Sequence, residues 1–170
     1  MYTAEDILIE REKRIDYQEK LLKKYKMPIL VIRVNYPGLS KDNPLSQAII
    51  KVMEQEVCEV LSCFIHYKKN TTTAEGPLVT MCINKKARDI KAVTLNVEHN
   101  HILGRCMDLD VYDDTGRNIS REEFGLAMRK CYICDDIAHK CVRSKKHSKE
   151  EVEGFIISKF AEYMEKFYEK

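Results

Sequence analysis

Two groupings of residues in this sequence could do chemistry. In "GRCMDLDV" Asp108 and Asp110 flank a single leucine, and in "RKCYICDDIAHKCVRSKKH" Cys131, Cys134 and Cys141 lead to His147. Residues i and i+2 of a strand point to the same face, so the two aspartates would project together while Met107, Leu109 and Val111 face a core. Bare, two such charges repel; a divalent cation between them removes the repulsion and takes both as hard oxygen ligands. Mg²⁺ commonly uses one or two carboxylates and completes its shell with water and phosphate oxygens, as in phosphoryl and nucleotidyl transfer. Glu98, upstream of Gly104, is a candidate third carboxylate. Gly104 would let the backbone approach a ligand, and Arg105 can hold phosphate bidentately. The alternative is an exposed strand edge whose aspartates merely face solvent.

The second grouping supplies three thiols and an imidazole, the complement of a closed tetrahedral zinc site. Its spacings differ from the common finger patterns, and His139 rivals His147 as the fourth ligand. The alternative is a set of core cysteines beside a surface histidine. Cys58, Cys63, Cys82 and Cys106 are scattered through apolar segments, where free cysteine behaves as a small hydrophobe. Arg143, Lys145 and Lys146 form a basic cluster beside the knuckle. The loop "TTTAEGP" offers hydroxyls and a glycine to a phosphate but lacks P-loop order. No G-x-S-x-G elbow supports acyl transfer.

Positioning these groups requires interleaved helices and strands. Thr3 and Asp6 in capping-box spacing open a long helix that ends before Pro28, and "ILVIRV" follows as a buried strand. Asn43 as N-cap with Pro44 at the first helical position opens a second helix. "CFIHY" and "LVTMCI" read as strands around the "KKNTTTAEGP" loop, "NKKARDIKAVTLNVEHN" as a helix, and "RCMDLDVYD" as a strand closed by "DDTGR". Ser120 with Glu123 and Ser148 with Glu151 repeat the capping box, the latter opening a final helix that packs through Val152, Phe155, Ile156, Phe160 and Tyr163. The pattern predicts one α+β or α/β domain over residues 1–170: a mixed sheet flanked by helices, with the D-x-D motif on a central strand in a nucleotidyltransferase-like site.

Bulk properties narrow the partners. The 170 residues suffice for one domain, and 29 basic against 27 acidic side chains leave a net charge of only +2. No whole-protein field exists to grip nucleic acid or membrane, so an anionic ligand must be met locally. The charged N-terminal stretch and the lack of a run near the roughly 18 apolar residues of a membrane span point to a cytoplasmic protein, where thiols stay reduced.

Together, "GRCMDLDV" with Glu98 upstream, "ISREEFG" and "RKCYICDDIAHKCVRSKKHS" resemble the signature of holo-citrate lyase synthase, the apo-citrate lyase phosphoribosyl-dephospho-CoA transferase family. The similarity extends to "ILIEREKRIDYQEKLL", to "NYPG" followed by Lys41, and to "TTTAEGPL", and so covers nearly the whole chain. Cys106 and Met107 stand where that family most often has leucine and an aromatic, and Ala-Glu-Gly-Pro replaces an expected T-G-P-E order. The resemblance implies transfer of a prosthetic group from 2'-(5''-triphosphoribosyl)-3'-dephospho-CoA to a serine of the acyl carrier (gamma) subunit of apo-citrate lyase, releasing pyrophosphate. It implies Mg²⁺ at Asp108 and Asp110, phosphate contacts from Arg105 and Arg143, and no nucleic acid or membrane partner. Two other readings stay open: nucleotidyl transfer from an ordinary nucleoside triphosphate, and a zinc-knuckle module that binds nucleic acid.

Overall fold

The computed structural model of the protein describes residues 2–168, so residues 1, 169 and 170 of the expected domain and its final helix lie outside the described residues. The elements run α1 (Ala4–Tyr25), β1 (Ile29–Val34), α2 (Pro44–Leu61), β2 (Ile65–Thr73), β3 (Gly76–Ile83), α3 (Ala87–Asn100), β4 (Met107–Tyr112), α4 (Ala138–Ser144) and α5 (Lys149–Tyr168). Local chemistry sets several boundaries. Thr3 and Asp6 exchange side-chain and backbone hydrogen bonds at the start of α1, and Asn43 and Ser46 do the same at α2 with Pro44 in the first turn. Ser148 and Glu151 form the reciprocal pair at α5. At Ser120 only half the box forms: Glu123 accepts the Ser120 N–H, but the element is a three-residue 3₁₀ turn stopped by Gly125 at positive φ.

The strands make one sheet in the order β2-β3-β1-β4, and every neighbouring pair is antiparallel. This corrects two expectations: the sheet is not mixed, and the D-x-D strand β4 lies at an edge rather than at the centre. The reason lies in the crossovers. Helices α2 and α3 do connect strands of like direction, as the alternating pattern implied, but each crossover skips a position that an antiparallel strand then fills. The result is a pair of split βαβ units, the ferredoxin-like β-α-β-β-α-β arrangement, in an α+β domain.

The expected loop around "KKNTTTAEGP" is also corrected. Strand β2 continues to Thr73 and turns through Ala74 and Glu75 directly into β3, with Gly76 at φ +89°. That positive φ favours glycine, and a Cβ there would lie 2.8 Å from the Lys41 carbonyl oxygen.

Alternation along the strands gives the sheet two different faces. Leu30, Ile32, Val34, Val79, Met81, Ile83, Met107, Leu109 and Val111 share the main core with Ile49, Met53 and Val57 of α2, Ile90 of α3 and Ile156 of α5. The side chains foreseen for α5 pack here. On the opposite face α1 lays Tyr17, Leu21 and Tyr25 over Ile29, Val31 and Cys82. Leu8 and Ile15 of α1 remain exposed, while Arg14 and Gln18 are turned inward and buried. All seven cysteines are unpaired; Cys63 is exposed rather than packed in the core. Among the described residues no helix is long and apolar enough to cross a membrane.

Candidate active site and metal centre

The face under α1 is where the aspartates emerge. In the antiparallel register Arg33 of β1 lies opposite Asp108 and Val31 opposite Asp110, so arginine and aspartates share one face of neighbouring strands. Asp108 and Asp110 do project together, with Met107, Leu109 and Val111 buried behind them. They are not bare. Arg33 Nη2 donates to Asp110 Oδ2 at 2.8 Å and to Asp108 Oδ2 at 3.3 Å, bridging the pair. Its Nη1 reaches Glu75 Oε1 at the tip of the β2–β3 turn, 3.5 Å away. Glu75 is in turn clasped by the buried Arg14 of α1, with Nε to Oε2 at 2.7 Å. Burial alone would lower the Arg33 pKa, but Asp108 and Asp110 outweigh it and hold the guanidinium above its ordinary value.

A second arginine closes the other side. Arg129 Nη1 donates to the Met107 carbonyl at 2.7 Å and to Asp108 Oδ1 at 3.2 Å, and its Nη2 lies 2.5 Å from Glu98 Oε1. Glu98 therefore belongs to the same network as Asp108, but through Arg129 and from a buried position on α3. Lys41 stands close enough to Arg33, Glu75 and Asp108 to feel their charges; burial is the main cause of its lowered pKa, and its ammonium donates to the Tyr36 carbonyl.

Gly104 and Arg105 both make close contacts within the fold. Gly104 sits in a 3₁₀ turn packed on the end of α3, where a Cβ would lie 2.5 Å from the Glu98 carbonyl oxygen and 2.6 Å from that of Val97. Glycine is required there by the close approach of backbone to backbone. Gly104→Ala should therefore cost about 1–3 kcal/mol of stability, the range for forced overpacking, read as a lower urea midpoint with unchanged m-value. Arg105 donates to the carbonyls of Lys130 and Cys131, both at 3.0 Å, and its guanidinium carbon lies 5.7 Å from the Tyr132 ring and 5.8 Å from the Phe155 ring. It holds the knuckle against β4. Tyr132 completes that attachment by stacking on Phe155 of α5 at 4.6 Å and donating to the Arg105 carbonyl.

The cysteines converge. Sγ of Cys131, Cys134 and Cys141 and a ring nitrogen of His147 all lie within 4.8 Å of one another. Cys134 Sγ is 3.6 Å from Cys141 Sγ and 3.2 Å from His147 Nε2. A tetrahedral zinc at the usual bond lengths would require edges of about 3.8 Å between sulfurs and about 3.5 Å from sulfur to nitrogen, so the cluster is already close to ligand geometry. The backbone N–H of Ile133 points at Cys131 Sγ, and Cys131 N–H donates to the Asp136 carbonyl, closing the C-x2-C turn. His139, the rival ligand, lies outside the cluster and lines an open cavity beside Arg129.

Arg143 is the site candidate that the structure does not bring in. It is exposed on α4 and makes no hydrogen bond or ion pair among the described residues. Conversely, sequence reasoning missed Arg33, Arg129, Glu75 and Arg14. The one visible signal was Arg33 itself, a lone cation inside the apolar run "ILVIRV".

Fold and site together define an α+β domain of split βαβ units, with a guanidinium–carboxylate network on one sheet face and a separate Cys₃His cluster fastened beside it. Over residues 2–163 the chain matches the family described as apo-citrate lyase phosphoribosyl-dephospho-CoA transferase. It is 31% identical over 145 residues to a protein of that name from Escherichia coli O7:K1, covering 84% of this chain and 79% of the relative. A Citrobacter koseri relative of the same name is 31% identical over 146 residues, covering 84% of this chain and 80% of its own, and one from Shigella boydii serotype 18 is 30% identical over 145 residues, with 84% and 79% covered. The chain belongs to the apo-citrate lyase phosphoribosyl-dephospho-CoA transferase family.

Proposed function

We propose that residues 1–170 act as one cytoplasmic transferase domain that moves the phosphoribosyl-dephospho-CoA group from 2'-(5''-triphosphoribosyl)-3'-dephospho-CoA to a serine of the acyl carrier (gamma) subunit of apo-citrate lyase. The observation that carries this reading is the family match across residues 2–163, which spans both the Asp108–Asp110 network and the Cys₃His cluster. The serine hydroxyl oxygen attacks the α-phosphorus and a new O–P bond forms, the bond from that phosphorus to the α,β-bridging oxygen breaks, pyrophosphate departs with that electron pair, and the serine proton is released to solvent.

Asp108 and Asp110 fit a divalent cation. They are hard oxygen donors on one face, 39% and 28% exposed, and both already share a cation in Arg33. Bound there, Mg²⁺ would neutralise charge on the attacked phosphate and the leaving group. Arg33 fixes the two carboxylates relative to each other, and Glu75, held by Arg14, fixes Arg33. Arg129 ties the end of β4 to α3 through Glu98. The Cys₃His cluster fits zinc by donor type and spacing; three thiolates and an imidazole leave no open coordination position, so its role is structural.

The decisive experiment is the intact mass of the apo carrier subunit after incubation with this protein and Mg²⁺. The expected result is one added phosphoribosyl-dephospho-CoA group per carrier and one pyrophosphate released when the dephospho-CoA donor is supplied, and no change with ATP. Modification by ATP alone would convert the reading to an ordinary nucleotidyltransferase, and salt-sensitive binding of arbitrary RNA without transfer would favour the nucleic-acid module.

A further inference from the structure

The mechanism leaves the guanidinium of Arg121 without a task. Arg121 follows Ser120 in the loop after β4, and its Nε is buried with no hydrogen-bond partner. The two arginines whose charges Arg121 feels are matched, Arg129 by carboxylates and Arg105 by two carbonyls. Arg121 forms no ion pair among the described residues. Burial pushes its pKa down, Arg129 and Arg105 push it further, and Glu98, already engaged by Arg129, opposes them only partly. An arginine stays charged under such conditions, so the charge is held at an energetic cost.

Arg121 and Arg129 line the same open cavity of about 400 Å³, many times the roughly 30 Å³ share of one water, with His139 on its wall. Met128 and Ile137 make much of the remaining lining apolar. Glu122 also borders the cavity, but it is exposed and forms no ion pair with Arg121. Because Arg129 also grips Asp108 Oδ1 at 3.2 Å, the cavity adjoins the aspartate pair through a shared side chain.

We infer that this cavity is a diphosphate subsite in which Arg121 and Arg129 receive the β- and γ-phosphates of the donor, the part that departs as pyrophosphate. The assignment rests on the transferase reading for the identity of the anion, while the cavity and its unpaired cation stand independently of it. A planar guanidinium donates two parallel N–H groups to phosphate oxygens, and an anion arriving there supplies the countercharge that Arg121 lacks.

The test uses inorganic pyrophosphate as probe on the full chain, by titration calorimetry and thermal melts, comparing wild type with Arg121→Gln and Arg121→Lys. The wild type should bind pyrophosphate and melt at higher temperature in its presence, as a ligand that binds only the folded state requires. Arg121→Gln should bind at least about tenfold more weakly, the loss of a charge-assisted pair, yet melt no lower than wild type when pyrophosphate is left out. A purely structural arginine would behave oppositely, with a lower midpoint in the variant and unchanged affinity, and that result overturns the inference. Arg121→Lys keeps the charge and loses the fork, so it should still weaken binding; unchanged affinity in that folded variant also overturns it. Should the wild type bind pyrophosphate through Arg121 but never modify the carrier, the subsite stands and the transferase reading falls. Carrier modification that is indifferent to Arg121, with pyrophosphate bound equally by all three proteins, leaves the transferase and removes the subsite.

Discussion

Asp110→Asn lowers carrier modification by at least about a hundredfold, the scale on which loss of one preorganised electrostatic contact is felt in phosphoryl-type chemistry. Asparagine keeps the shape and retains an oxygen that can accept from Arg33 Nη2, but it removes half of the negative charge that Arg33 now bridges. Asp108→Asn should act at least as strongly, since Asp108 also anchors Arg129. The stability cost separates the two positions. Asp110 has one guanidinium partner and is partly exposed, so its loss should cost no more than about 1 kcal/mol. Asp108 holds two guanidiniums, and its replacement should lower the melting midpoint further. Bare, the two charges would repel, and removing one would relieve that repulsion. The bridging Arg33 reverses that sign, because removing either aspartate now leaves a largely buried cation short of a partner. Transfer rates measured over a Mg²⁺ series beside thermal melts test both claims. Near wild-type turnover in Asp110→Asn would sink the active-site assignment, and a clear rise in the melting midpoint would sink the charge argument.

What could be read ahead of the structure was whatever depended on short range. The period of two put Asp108 and Asp110 on one face; Thr3 with Asp6, Asn43 with Pro44, and Ser148 with Glu151 fixed helix starts through contacts three residues apart. What could not be read depended on register and on which strand filled a skipped position. Arg33 meets Asp108 across 75 residues of chain, and Arg14 meets Glu75 across 61. No local pattern specifies those pairings. The edge placement of β4 follows from the same skipped position, although the alternative of an edge strand had been visible in the polar face of the D-x-D itself. Helix α4 carries no such local signal, being a seven-residue element whose N-cap, Ile137, makes no side-chain cap hydrogen bond. Gly104 also has a neighbour that no local pattern names: its hydrogen faces the α3 carbonyls, a contact legible only once the turn is folded against the helix.

Protein purified without added metal should carry about one zinc per chain, and Cys134→Ser should lose it. The cluster is the strongest case for a large effect away from the transfer chemistry. Cys131 and Cys141 are buried, only 8% and 5% exposed, and Cys134 closes contacts to both Cys141 and His147. Without a metal, three thiols and an imidazole at these separations gain little from one another, whereas a closed tetrahedral site contributes folding energy directly. That energy has a defined destination. The backbone of the knuckle accepts both Arg105 hydrogen bonds, Tyr132 stacks on Phe155, and Arg129, two residues before Cys131, grips Asp108. Loosening the cluster therefore releases Arg129 from the aspartates as well as the segment itself. Loss of even ~2 kcal/mol would lower the melting midpoint of a chain this size by about 4–8 °C. The same variant should lose transfer activity through displacement of Arg129, and should do so less completely than Asp108→Asn, because the carboxylates and Arg33 remain in place. Chelator treatment of the wild type should reproduce both effects, and added zinc should reverse them in wild type but not in Cys134→Ser. A metal-free wild type with full activity and an unchanged midpoint would reduce the four residues to ordinary packing.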